Sequence, residues 1–269
     1  MIPAAFEYAR AGSVQEATEL LGRYGDDAKV LAGGHSLIPL MRLRLAQPSA
    51  LVDINGVREL SYVVPENGKL RVGALMRHVE LQNSDVVKQN LPILAEVAGE
   101  VGDNQVRNLG TIGGVIAHAD SAGDYPTLCM ILDAEIVTNK RRFGAEQFFE
   151  DLFTTPLDHD ELVCEVVFPI ANGPHKYLKF RRRLFDWAIV AAAAQQTEQG
   201  WRIGLTNVGP TPVRAVSVEQ ALGQGASVAE AAEHASEGLN PSADIRATPD
   251  YKRHLARVLT RRAIEQASA

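Results

Sequence analysis

Asn108-Leu-Gly-Thr-Ile-Gly-Gly114 sets glycines at 110, 113 and 114 around a threonine, and the small, polar, acidic run Val115-Ile-Ala-His-Ala-Asp-Ser-Ala-Gly-Asp124 follows at once. A second pair, Gly33-Gly34, closes the apolar segment Ala28-Lys-Val-Leu-Ala32 and stands beside Ser36. Glycine admits positive φ and lets backbone N–H groups come close to a ligand, so two such pairs with flanking hydroxyls read as anion nests whose natural guest is phosphate. The plainer reading gives each pair nothing but a tight turn.

Working outward, Ser13-Val-Gln-Glu16 has capping-box spacing, and Val14, Ala17, Leu20 and Leu21 keep helical period, which predicts a helix over 14–23. Ala28 to Ala32 reads as a strand entering the first glycine turn, with helical spacing resuming over 37–45 and Pro39 in its first turn. Leu51 to Ile54 reads as a strand, and 60–64 with 69–72 as a hairpin around Glu66-Asn-Gly68. Helices are expected over 77–82 and 91–101, a loop at Gly113-Gly114, then helix 125–132, strand 134–138, helix 145–152 and strand 162–170. Asn172-Gly-Pro174 reads as a linker. Strands near 176–183, 188–196 and 201–208 and helices near 227–237 and 249–266 should follow it, as a three-stranded meander packed with helices. The alternation marks an α+β or α/β class.

Composition narrows the function. With 269 residues, 46% of them hydrophobic, the chain can bury a core without staples. Cys129 and Cys164 sit in apolar surroundings and read as reduced thiols, which points to a reducing compartment. No leader pattern opens the sequence, and no apolar run reaches the roughly 18 to 20 residues of a membrane helix, so a soluble cytoplasmic protein is expected. A net charge of −6 disfavours nucleic acid, and Lys140-Arg-Arg142 and Arg181-Arg-Arg183 read as solvated strand ends.

Known chemistries mostly fail. There is no P-loop and no Gly-x-Gly-x-x-Gly opening a βαβ unit. The histidines never take the i, i+4 spacing of a zinc helix, and no serine sits in a nucleophile elbow. His118 with Asp120 is a weak acid–base pair, and Asp103 and Asp133 read as turn or capping residues. A chain with nest-like loops and no catalytic constellation of its own leaves the chemistry to a cofactor.

Val30-Leu-Ala-Gly-Gly-His-Ser-Leu37, Asp53 at a strand end, Arg107 to Gly114 and Ala117 to Asp124 resemble the FAD-binding subunit of molybdenum-containing hydroxylases. That family includes the medium subunit of aerobic carbon monoxide dehydrogenase and the FAD domain of xanthine dehydrogenase. The likeness continues through Asp160 to Pro169, Lys179-Phe-Arg-Arg-Arg183 with Asp186-Trp187, and the terminal helix. It implies an α+β fold of the vanillyl-alcohol-oxidase (PCMH) type, with subdomains at 1–57 and 58–172, FAD between them, and a C-terminal α+β domain over 173–269. It implies that Val30, Leu31, Ala32, Gly33, Gly34, His35, Ser36 and Leu37 form one half of the diphosphate cradle and Gly110, Thr111, Ile112, Gly113 and Gly114 the other. Val115 would contact the cofactor through backbone alone. Asp124 would lie near the adenosine end, with Leu162 and Lys179 beside the flavin ring, where a lysine would favour the anionic reduced form.

The FAD is expected to be held non-covalently. The implied activity is that of an oxidoreductase subunit passing electrons from [2Fe-2S] clusters of a small partner, reduced at a molybdopterin centre in a large one, through FAD to an external acceptor. The assembly would be a dimer of heterotrimers. Two distant cysteines cannot supply the four ligands a cluster ordinarily takes, so the clusters belong to another chain. The alternative is a stand-alone flavin oxidase or dehydrogenase of the same fold, which would need its own substrate base.

Overall fold

In the computed structural model, which describes residues 2–269, three sheets carry the chain. Ser13 caps the helix Val14–Tyr24 by accepting from the Glu16 N–H, as its spacing predicts, and Leu21 and Ala17 of that helix are buried. The helix packs against a three-stranded parallel sheet in which Ala50–Asp53 lies between Glu7–Arg10 and Ala28–Leu31. Ala50–Asp53 is buried throughout, as a central parallel strand covered on both faces must be.

The second sheet is antiparallel and five-stranded, in the order Val63–Glu66, Lys69–Gly73, Val163–Pro169, Glu135–Thr138, Arg142–Gly144. Helices Pro92–Glu100 and Asp124–Ile131 fill the core beside it, with Leu94, Val97, Tyr125 and Leu128 fully buried.

The C-terminal sheet runs Val213–Arg214, Gly200–Thr206, Val190–Thr197, His175–Phe180. The expected meander is present, and the two-residue strand Val213–Arg214 adds a fourth member at its edge, too short to carry a periodic signal. Ala191 to Ala194 lie in the middle of this sheet, and alternation divides them. Ala191 and Ala193 join the core of the second sheet, while Ala192 and Ala194 join the core made with Leu255, Leu259 and Ile264 of helix Pro249–Ala267. A strand pressed between two layers has room for little more than methyl groups. Gly204 meets the same limit: a Cβ there would sit 2.5 Å from Ile131 Cγ2, so the strand seats directly on helix Asp124–Ile131.

Several elements depart from expectation. The strand of the hairpin starts at Val63, after a 3-10 turn at Arg58–Leu60, and the helix expected over 145–152 is the single turn Ala145–Phe148. Glu7–Arg10, Asp85–Asn90, Asn104–Leu109 and Val216–Gly223 are regular elements beyond those expected. Gly113-Gly114 is no loop; it opens the helix Ile112–His118. The basic clusters are tied down more than a solvated end requires: Lys140 bonds Asp158 and Asp160, Arg141 bonds Glu161, Arg142 bonds Glu135 and Arg181 bonds Glu100.

Candidate functional site

The first glycine turn leaves the parallel sheet at Leu31 and enters the helix Leu37–Arg42. Among the described residues, no backbone carbonyl accepts from the N–H groups of Ala32, Gly33, Gly34, His35 or Ser36. Consecutive unbonded donors are costly to leave facing nothing, and they make an anion nest. Gly34 has φ +74°, and a Cβ on it would meet Ile38 Cδ1 at 2.7 Å. A Cβ on Gly33 would meet Leu109 O at 2.5 Å and Gly110 Cα at 2.7 Å. The two glycine motifs, far apart in sequence, are thus in van der Waals contact.

A polar strap holds them there. Asn55 donates to Ala32 O at 2.8 Å and accepts from Arg77 Nη2 at 2.6 Å, and the Arg77 guanidinium also donates to Leu109 O. Asp53, itself accepting from Tyr8 OH, orients Asn55 by accepting from its amide nitrogens.

The second motif behaves differently from a nest. Thr111 caps the helix Ile112–His118 by accepting from Gly114 N–H at 3.2 Å. Ile112 N–H donates to Met76 O and Gly113 N–H to Ala74 O. The N–H groups of Ile112, Gly113 and Gly114 are therefore spent inside the protein, and Gly113 serves close packing, since a Cβ there would lie 2.5 Å from Ala74 Cβ. What this motif brings to the cleft is Thr111, Gly113 and Gly114, at the start of the helix Ile112–His118.

Both motifs line one cleft of about 600 Å³, within the usual range for small-molecule sites. Val30, Ala32, Gly33, Gly34, His35, Ser36, Leu37, Gly110, Thr111, Gly113, Gly114, Val115, Asp124, Leu162 and Lys179 all border it. Leu31 and Ile112 do not: Leu31 packs beneath Gly34, and Ile112 is fully buried in the central core. His118 and Asp120 also border the cleft but do not bond each other; Asp120 accepts from Ala122 N–H within its own turn, and the His118 ring lies against Phe153.

Asp124 and Lys179 were expected at opposite ends of a dinucleotide, and they touch. Lys179 Nζ donates to Asp124 Oδ2 at 2.9 Å, Tyr177 OH donates to Oδ1 at 2.6 Å, and the charged pair is 2% and 3% exposed. Burial pushes the Asp124 carboxyl above its ordinary range against the pull of Lys179 and Tyr177. Each carboxylate oxygen of Asp124 thus accepts one bond, and the ammonium is paired. The pair stands at one point on the cleft wall as a fixed dipole. Thr127 Oγ1, 2.6 Å from Thr206 Oγ1, pins the helix that begins at Asp124 to the C-terminal sheet.

Sequence reading missed Tyr177, His78 and Trp187 at this site. Tyr177 carried a usable signal: two residues before Lys179 on a strand, it shares that side chain's face. His78 borders the cleft while 1% exposed, and Phe185 and Trp187 form part of its rim.

A family model described as the FAD binding domain in molybdopterin dehydrogenase matches residues 4–171, and one described as the CO dehydrogenase flavoprotein C-terminal domain matches 175–267. The chain is 39% identical over 284 residues to the carbon monoxide dehydrogenase medium chain of Hydrogenophaga pseudoflava, covering 100% of this chain and 99% of that one. It is 36% identical over 285 residues to the 6-hydroxypseudooxynicotine dehydrogenase complex subunit alpha of Paenarthrobacter nicotinovorans, covering 99% and 96%. Its structure superposes on a chain of carbon monoxide dehydrogenase from H. pseudoflava, solved without the Mo-pyranopterin moiety of the molybdenum cofactor, with TM-score 0.95 and 40% identity, covering 100% and 99%.

Proposed function

The chain belongs to the FAD-binding subunits of molybdenum-containing hydroxylases, and from that premise we propose that its cleft holds the FAD of an electron-relay subunit within such a complex. The observation that carries the reading is the run of unbonded N–H groups from Ala32 to Ser36, opening on a cleft that Thr111 and Gly114 border from the other side. These groups suit a pyrophosphate, which brings two negative charges and many acceptor oxygens and needs no lysine where backbone donors converge. Bound FAD would supply the redox centre, taking up electrons and releasing them to an acceptor.

The chain's own part is to bind and to tune. Ala32, Gly33, Gly34, His35 and Ser36 present donors to the pyrophosphate; Val30 and Leu37 flank them, and Gly110, Thr111 and Gly114 close the opposite side. Leu162 gives an apolar contact for the ring system. Lys179 and Asp124 present a neutralised pair, so the field they set is that of a dipole, weaker than a free ammonium would give. Residues 1–57 and 58–172 divide as the halves around the cofactor, with 173–269 as the C-terminal domain.

The partners we propose are a large molybdopterin-binding subunit and a small [2Fe-2S] subunit, in a dimer of heterotrimers with an external electron acceptor, in the cytoplasm. The relatives matched at 39% and 36% identity carry the names of different substrates, which fits a substrate read by another chain. No helix among the described residues is long and apolar enough to cross a membrane. The test is titration of the purified chain with FAD, followed by flavin absorbance and fluorescence. One equivalent bound non-covalently and released by acid is expected; a chain that takes up no flavin at saturating concentration overturns the reading.

A further inference from the structure

One buried side chain facing the cleft belongs neither to the glycine motifs nor to the Asp124 pair. His78 opens the helix His78–Asn83, and its backbone N–H donates to Gly110 O at 3.2 Å. The residue is 1% exposed and borders the cleft. Nδ1 lies 2.9 Å from Tyr125 OH. Nε2 abuts Gly110, where a Cβ would come within 2.5 Å of it, and Gly110 is the residue that Gly33 touches. The free ring nitrogen therefore sits beside the seam where both glycine motifs meet, and no described residue bonds it.

The direction of the tyrosine bond and the tautomer of the ring are linked. Tyr125 is fully buried, and Nδ1 is the partner found for its hydroxyl. Were that hydroxyl to accept from Nδ1, its own O–H would be left unbonded in the core, at about 1–3 kcal/mol. With the hydroxyl as donor, Nδ1 accepts and the proton of the neutral ring lies on Nε2, free for an acceptor at the seam. Burial, with His35, Arg77 and Arg107 nearby, pushes the ring's pKa down to about 3, so it stays neutral at ordinary pH.

We propose that His78, locked by Tyr125 in its Nε2–H tautomer, is a binding residue for the pyrophosphate of the dinucleotide. It adds a side-chain donor at the seam between the two loops, where the Ile112, Gly113 and Gly114 N–H groups of the second motif are spent internally. This rests on the FAD reading above, which wild-type binding tests separately.

The experiment measures FAD and ADP affinity on the full chain, together with ¹⁵N-histidine NMR. Expected results are a single Nε2–H tautomer for His78 whose Nε2 resonance moves on addition of ADP, and about tenfold weaker binding of both nucleotides by His78→Phe. His78→Gln, which can place an N–H where Nε2 stood, should bind within about threefold of wild type, and Tyr125→Phe should mix the tautomers and fall between. Wild type that binds FAD while His78→Phe binds as tightly overturns the inference and leaves the FAD reading standing. Equal weakening in His78→Phe and His78→Gln assigns the ring a packing role and also overturns it. Should His78→Phe fail to fold, the wild-type spectrum decides: an Nδ1–H tautomer, or an Nε2 signal indifferent to ADP, sinks the inference, and a shifted Nε2–H signal upholds it.

Discussion

Gly33 shows how one missing side chain can hold two loops together. A Cβ at 33 would lie 2.5 Å from one backbone atom and 2.7 Å from another, neither of which can rotate away. Gly33→Ala should therefore lower stability by about 1–3 kcal/mol and weaken FAD binding, because the loops must separate to admit the methyl. Gly22 is the control: it lies exposed in a helix with nothing within 4 Å of a built Cβ, so Gly22→Ala should stabilise by about 0.5–1 kcal/mol. Thermal or urea unfolding of both variants checks the contrast, and a neutral Gly33→Ala would refute the contact. The Asp124–Lys179 pair makes a second prediction at this scale. Removing one member of a buried pair strands the other, so Lys179→Met alone should cost about 3–5 kcal/mol, and Asp124→Asn combined with it should recover much of that loss. Additive effects across the double-mutant cycle would mean the two charges do not depend on each other.

Among the elements, those whose stability is local were legible in the sequence. Ser13 caps the helix its spacing announced, and the helices expected near 227–237 and 249–266 are present, capped by Ser227 and Thr248. Asp103, read as a capping residue, accepts from Val106 N–H. The helix Ile112–His118 was not legible, because two glycines in its first turn argue against a helix on propensity alone. What overrides them is partly tertiary: besides the local Thr111 cap, carbonyls of Ala74 and Met76, just past strand Lys69–Gly73, accept the Gly113 and Ile112 N–H groups. The same logic hid part of the site. The glycine loops could be found from composition, whereas the contact of Lys179 with Asp124 spans 55 positions and no periodicity links them. Thr111→Val keeps the shape and removes the acceptor for Gly114 N–H, so it should cost about 1 kcal/mol and loosen the helix start. Hydrogen exchange at Gly114 reads this out: faster exchange in the variant is expected, and unchanged protection would show that the cap carries nothing.

For the whole molecule, the response to acid follows from groups whose charge the fold alters. The unfolded chain protonates His78 near its ordinary 6.5, while the folded chain refuses that proton down to about 3. Between those values the unfolded state holds one more proton, so this residue's contribution is intact above 6.5 and falls as pH drops, by up to about 1.4 kcal/mol per unit. Glu161 acts in the same direction at lower pH: burial alone would raise its carboxyl, but Arg141, Thr138 and the Asp158 N–H hold it below the usual range, and that stability is lost as it protonates. Asp124 opposes both, because a carboxyl raised by burial favours the fold more as it gains a proton. The share of His78 is a decline that begins near pH 6.5, above the range where ordinary carboxylates titrate. Urea unfolding at pH 7, 6, 5 and 4.5 should show it in wild type, and His78→Gln, which cannot take up a proton in either state, should flatten the slope between pH 6 and 5. A variant whose stability falls as steeply as wild type over that interval would place the acid sensitivity elsewhere and remove the case for a neutral, buried ring at the cleft wall.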